Sequence, residues 1–122
     1  MAKILFIDDR LYEVARQWQL SGCASKHELL PLEPFTSIKR TCQAVAELKP
    51  DIIFVGYGLG SFPITGADVI RALRQEGYNG YIVANSGGSI EQFNRSEVEV
   101  TGSANRSPRD LKIIVDKITE RR

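Results

Sequence analysis

Two rhythms of apolar residues alternate along the chain. The first is the short unbroken run. Lys3-Ile4-Leu5-Phe6-Ile7 starts almost at Met1 and ends in the adjacent carboxylates Asp8 and Asp9. Ile52-Ile53-Phe54-Val55 lies between Pro50 and the alternating glycines Gly56, Gly58 and Gly60, and Tyr81-Ile82-Val83-Ala84 follows the turn Asn79-Gly80. Apolar runs of this length, bounded by Pro and Gly and rich in β-branched residues, predict strands buried on both faces. A weaker run over 27–32 predicts a strand at or near a sheet edge, because Pro31 cannot donate to a ladder. Val98-Glu99-Val100-Thr101 predicts the start of a fifth strand that runs on to Ala104. The second rhythm is helical. Leu11, Val14, Ala15 and Trp18 share a face, with Gly22 as the stop. Ile38, Cys42, Val45 and Leu48 share another, behind a cap at Thr36 or Ser37. Lys49-Pro50 ends that helix, since a residue before proline is pushed out of the helical region. Val69, Ile70 and Leu73 mark a third helix over 66–74, closed by Gly77. A short helix is expected over 90–94. Ser107 and Pro108 open the last one, striped by Leu111, Ile114, Val115 and Ile118.

Strand and helix alternate five times, which predicts an α/β fold with a parallel sheet and right-handed crossovers. Five such units in a single domain over 1–122 suit the flavodoxin-like three-layer βαβ sandwich with strand order 2-1-3-4-5. That order puts strands 1, 3 and 4 in the middle, and these are the three most apolar runs. In open sheets of this kind function lies beyond the carboxyl ends of the strands, at the switch point between strands 1 and 3. Asp8, Asp9 and the Gly56 loop therefore converge, with Asn85 beside them and Arg106 across.

Composition changes this picture little. Hydrophobic residues make up 43% and charged residues 25%, ordinary for a globular chain, and a net charge of +1 supplies no bulk attraction to nucleic acid or to an anionic membrane. Cys23 and Cys42 form no CxxC, and His27 is the only histidine, so neither a disulfide nor a zinc site is expected. Free thiols, together with the lack of a signal peptide pattern or a membrane-length apolar span, point to the cytoplasm.

The segments 3–9 and 50–55, Tyr57-Gly58-Leu59 followed by Thr65-Gly66-Ala67-Asp68-Val69-Ile70-Arg71-Ala72-Leu73-Arg74, and the final helix together resemble the receiver domain of two-component response regulators, over nearly the whole chain. In that family an acidic pair after strand 1 binds Mg²⁺, an aspartate ending strand 3 accepts a phosphoryl group, a Thr or Ser ends strand 4 and a Lys ends strand 5. The resemblance carries the acidic pair onto Asp8 and Asp9, the phosphoacceptor onto Gly56, the hydroxyl position onto Asn85, the lysine onto Arg106 and the switch aromatic near Ser103. Glycine offers no carboxylate nucleophile for phosphoryl transfer, and it removes an anionic metal ligand as well. The expectation is thus a degenerate receiver pocket of Asp8, Asp9, Gly56, Asn85 and Arg106. It would have no catalytic residue, no cofactor beyond weak Mg²⁺ on Asp8 and Asp9, and Arg106 neutralising the acidic pair.

Two further stretches stand out. Ser86, Gly87 and Gly88 open the short helix at the functional end of the sheet, where free N–H groups attract anions; the plainer reading is a turn. Tyr57, Leu59, Phe62, Pro63 and Ile64 form an apolar connection that either binds a partner or fills space left by missing side chains. Trp18 reads as core, and His27 as a surface or strand residue. The expected function is a stand-alone signalling module, not an enzyme, that works by protein–protein contact without Asp phosphorylation. Its partners would be a histidine kinase or a downstream effector, with a homodimer left open and no nucleic acid or membrane partner. The alternatives are a small-anion or nucleotide sensor and a phosphoacceptor receiver with a displaced site.

Overall fold

Ile52, Ile53, Phe54 and Val55 are all fully buried, and the sheet is assembled outward from them. The computed structural model describes residues 1–60, 63–85, 91, 93, 100–104 and 107–120. Its five strands are β1 (Lys3–Ile7), β2 (Glu28–Leu29), β3 (Ile52–Val55), β4 (Tyr81–Asn85) and β5 (Gly102–Ala104). The helices among the described residues are α1 (Leu11–Ser21), α2 (Ile38–Leu48), α3 (Gly66–Gln75) and α4 (Pro108–Glu120). The sheet is parallel with order β2-β1-β3-β4-β5, as the alternation of runs predicts. β3 lies between β1 and β4, in register Ile4↔Ile52↔Tyr81 through Ile7↔Val55↔Ala84.

Successive side chains of a strand point to opposite faces, so each buried strand feeds two cores. Ile4, Phe6, Ile52, Phe54 and Val83 face α1 and α4, through Val14, Trp18, Leu111, Val115 and Ile118. Leu5, Ile7, Ile53, Val55, Ile82 and Ala84 face α2 and α3, through Val45, Val69, Ile70 and Leu73. On the first face the Phe6 and Phe54 rings stack at 4.8 Å, and Trp18 meets Phe6 edge-on at 6.4 Å.

The caps follow from local chemistry. Of the two candidate residues, Ser37 caps α2, its Oγ accepting from the Arg40 N–H at 3.1 Å. Ser107 does the same for α4, taking the Asp110 N–H at 3.2 Å ahead of Pro108. α3 closes on Gly77, whose φ of 92° is open to glycine, with Tyr78 N–H returning to Leu73 C=O and Gly77 N–H to Arg74 C=O.

Two local expectations gain detail. Lys49 leaves the right-handed helical region, but into the left-handed one (φ 51°), where its N–H still reaches Val45 C=O. Among the described residues the fifth strand covers Gly102–Ala104, with Val100 and Thr101 ahead of it: Thr101 pairs with Ile82 through its side chain, its Oγ1 accepting the Ile82 N–H at 3.0 Å while its own N–H donates back at 2.7 Å. Residues 94–99 and most of the expected helix over 90–94 lie outside the described residues.

Candidate functional site

The site grows from the ends of β1 and β3. β1 stops at Ile7, and the next residue, Asp8, remains buried at 1% exposure. Its Oδ1 accepts the Arg10 N–H at 3.1 Å, an Asx-type turn that swings the chain into α1. Strand alternation then leaves Asp9 exposed. The acidic pair is thus one buried carboxylate and one in solvent. On the neighbouring strand the Gly56 N–H donates to Ile7 C=O at 2.9 Å, extending the ladder one step past β3. Gly56 is therefore buried side by side with Asp8, as expected, and presents only backbone there. Asn85, at the end of β4, is buried at 2% exposure in the same row of strand ends.

A second glycine shapes this end. Gly66, the first residue of α3, donates its N–H to Tyr57 C=O at 2.7 Å. A Cβ on Gly66 would collide with the Gly56 carbonyl oxygen and come within 2.9 Å of its carbon. The start of α3 is thus seated directly on the Gly56 backbone. Asp68 fixes that start from within, its Oδ2 taking the Thr65 N–H at 2.9 Å and its Oδ1 the Arg71 guanidinium at 3.2 Å. This role of Gly66 went unread because a glycine opening a helix looks like any other weak start; the Thr65-Gly66-x-Asp68 spacing is the signal that marks it.

The connection from β3 to α3 folds over the sheet end. Leu59 is buried at 2% exposure, Tyr57 and Ile64 pack against the core, and the Tyr57 ring meets Phe93 edge-on at 5.3 Å. Those contacts favour space-filling for these three side chains, while Pro63 is exposed. Gly60, at φ 79°, carries the connection past Asp9. Ser103 is exposed on β5. Arg106, Ser86, Gly87, Gly88 and Phe62 lie outside the described residues.

Among the described residues a divalent cation finds two carboxylates of unequal access here. Among the described residues no group of three His, Cys, Asp or Glu side chains converges. Mg²⁺ prefers octahedral oxygen coordination, of which these two carboxylates supply a part. Two other described carboxylates are engaged elsewhere. Asp68 is committed to its own helix, and Asp51, at the amino end of β3, takes the Lys3 N–H at 2.7 Å.

That opposite end is the more elaborate. The Arg74 guanidinium donates to Tyr78 C=O and Gly80 C=O at 2.8 and 2.9 Å and lies over the Tyr78 ring. The Tyr78 hydroxyl donates to Pro50 C=O at 3.1 Å. Burial pushes this phenol far up from its ordinary range, Arg74 pulling the other way, so it is a permanent donor. A cavity of about 430 Å³ opens beside it, lined by Cys42, Pro50, Leu73, Tyr78 and Tyr81 among others, remote from Asp8 and Gly56. Cys42 there is held neutral by burial, its thiol pushed up from the ordinary value, and Cys23 is buried; both are free.

No protein-family model matches this chain, and no curated protein matches its sequence. Solved structures do. A two-component response regulator of the LuxR family from Aurantimonas sp. SI85-9A1 is similar over 100% of this chain and 87% of its own, with TM-score 0.81 and 18% identity. A DNA-binding response regulator of the LuxR family from Staphylococcus aureus is similar over 97% of this chain and 98% of its own, with TM-score 0.77 and 14% identity. The response regulator protein TrrA from Thermotoga maritima, in complex with Mg²⁺ and BeF, is similar over 98% of both chains, with TM-score 0.71 and 15% identity. Strand order and whole-chain coverage agree: the chain has the flavodoxin-like fold of response regulator receiver domains.

Proposed function

We propose that this chain is a degenerate receiver, a signalling module that works through protein–protein contact and is not switched by an aspartyl phosphate. The observation that carries the reading is Gly56, buried beside Asp8 at the end of β3, where the receiver resemblance calls for a nucleophilic carboxylate. Asp8 and Asp9 keep the acidic pair of the receiver pattern, without the third anion that would make Mg²⁺ bind well. Asn85 and Arg106 complete the pocket in this reading, Arg106 balancing the acidic pair. The module performs no chemistry of its own. Its partners are a histidine kinase or a downstream effector in the cytoplasm, met on the faces around the last strands and helices, or a second copy of itself; it contacts neither nucleic acid nor membrane. The single domain over 1–122 carries that contact surface in this reading.

Incubation with acetyl phosphate and Mg²⁺, followed by intact-mass measurement, tests this. The chain is expected to gain no phosphoryl mass, and BeF₃⁻ with Mg²⁺ is expected to leave its melting temperature unmoved. Gly56→Asp, which supplies a carboxylate beside Asp8, is expected to respond to both. A phosphoryl adduct on the unsubstituted chain overturns the reading in favour of a displaced acceptor. Stabilisation by nucleotides or small anions instead would move it to the Ser86, Gly87 and Gly88 turn as a sensor.

A further inference from the structure

The edge of the sheet is closed by a histidine acting as an acceptor. The Ala2 N–H points at His27 Nδ1, 3.0 Å away. A backbone N–H can only donate, so Nδ1 carries a lone pair and the ring proton sits on Nε2. The same Ala2 accepts the Glu28 N–H on its carbonyl at 2.9 Å, and Leu30 N–H follows onto Ile4 C=O at 2.8 Å. These bonds hold the two-residue strand β2 against β1. His27 thus braces the first rung of a very short ladder.

We propose that His27 is a proton-sensitive latch on the edge strand: neutral, it holds Ala2 and keeps β2 on β1; protonated, it releases both. An imidazolium has donors on both nitrogens, so the Ala2 N–H then meets another donor and the bond is lost. The surroundings favour the neutral ring. Partial burial holds it below its ordinary value of 6.5, and so does the nearby amino terminus. Asp116 on α4 opposes them, while Lys26 adds to them; Asp116 is itself bonded to Lys112. Thr119 of α4, which borders the ring's surroundings, does not titrate, and its hydroxyl donates to Val115 C=O at 2.8 Å. An open cavity of about 360 Å³ bordered by Met1, Ala2, His27 and Thr119 gives the ring room to turn. The sign follows from linkage. With the folded value below the unfolded one, the latch is fully closed above pH 6.5 and is lost as pH falls from there through the folded value.

Hydrogen exchange of the Glu28 and Leu30 amides, at about pH 7.5 and about pH 5.5, reads the latch directly. Their protection factors are expected to fall roughly tenfold at the lower pH, the loss of one braced hydrogen bond and its neighbour. In His27→Asn the side-chain oxygen occupies the place of Nδ1 and accepts at every pH, so protection is expected to stay level. Level protection in the unsubstituted chain overturns the proposal, and so does an equal fall in His27→Asn. Nitrogen shifts of the imidazole give a second measure independent of any variant. An Nε2–H tautomer titrating below 6.5 supports the latch, and a ring titrating at or above it sinks it.

Discussion

The two ends of the sheet are built on opposite plans. At the amino end, side chains close the structure: Arg74 ties down two carbonyls of the α3–β4 turn, Tyr78 ties Pro50, and Asp51 ties Lys3. At the carboxyl end, backbone does the closing: Gly66 is seated on Gly56, and Gly56 on Ile7. The difference shows how an α/β sheet divides its labour. An end closed by long polar side chains is a fixed floor. An end closed by glycines keeps its strand termini short of side chains, and whatever stands there decides the chemistry. In this chain what stands there is one buried carboxylate, the buried carboxamide of Asn85 and a bare backbone.

Substitution can break each plan in turn. The largest effect is expected from Gly66→Ala, whose new Cβ meets backbone that cannot step aside, with a loss of about 2–3 kcal/mol in denaturant unfolding. Arg74→Ala leaves the Tyr78 and Gly80 carbonyls without their charged donor and should cost about 2 kcal/mol in the same measurement. Tyr78→Phe removes one hydroxyl bond to the buried Pro50 carbonyl, for about 1 kcal/mol. If Gly66→Ala proved milder than Tyr78→Phe, the carboxyl end would be the softer of the two and the contrast would fail.

Elements made by period were legible from the residues. The runs at β1, β3 and β4 and the helical stripes carry their burial in their spacing, so the strand order followed. β5 was drawn too broadly, reaching back over Val100 and Thr101, because Gly102, Ser103 and Ala104 carry no strand signal of their own. The chain pairs there because Thr101 lends its hydroxyl to the ladder, which no periodicity reveals. Lys49 was expected only to leave the helix, and its left-handed turn is a choice made by the cap. At the site, the neighbourhood of Asp8 and Gly56 was readable from topology alone. The unequal exposure of Asp8 and Asp9 needed the strand's exact end, since a shift of one residue exchanges inside and outside. The Arg74–Tyr78 clasp was invisible, because side-chain bonds to carbonyls across a turn have no repeat to betray them.

The nearest atom to a Cβ built on Gly66 is the carbonyl oxygen of Gly56, which any residue at that position would carry. The close approach that seats α3 is thus made to backbone and not to a side chain of residue 56. A variant carrying an acid at that spot would offer α3 the same carbonyl oxygen to rest on.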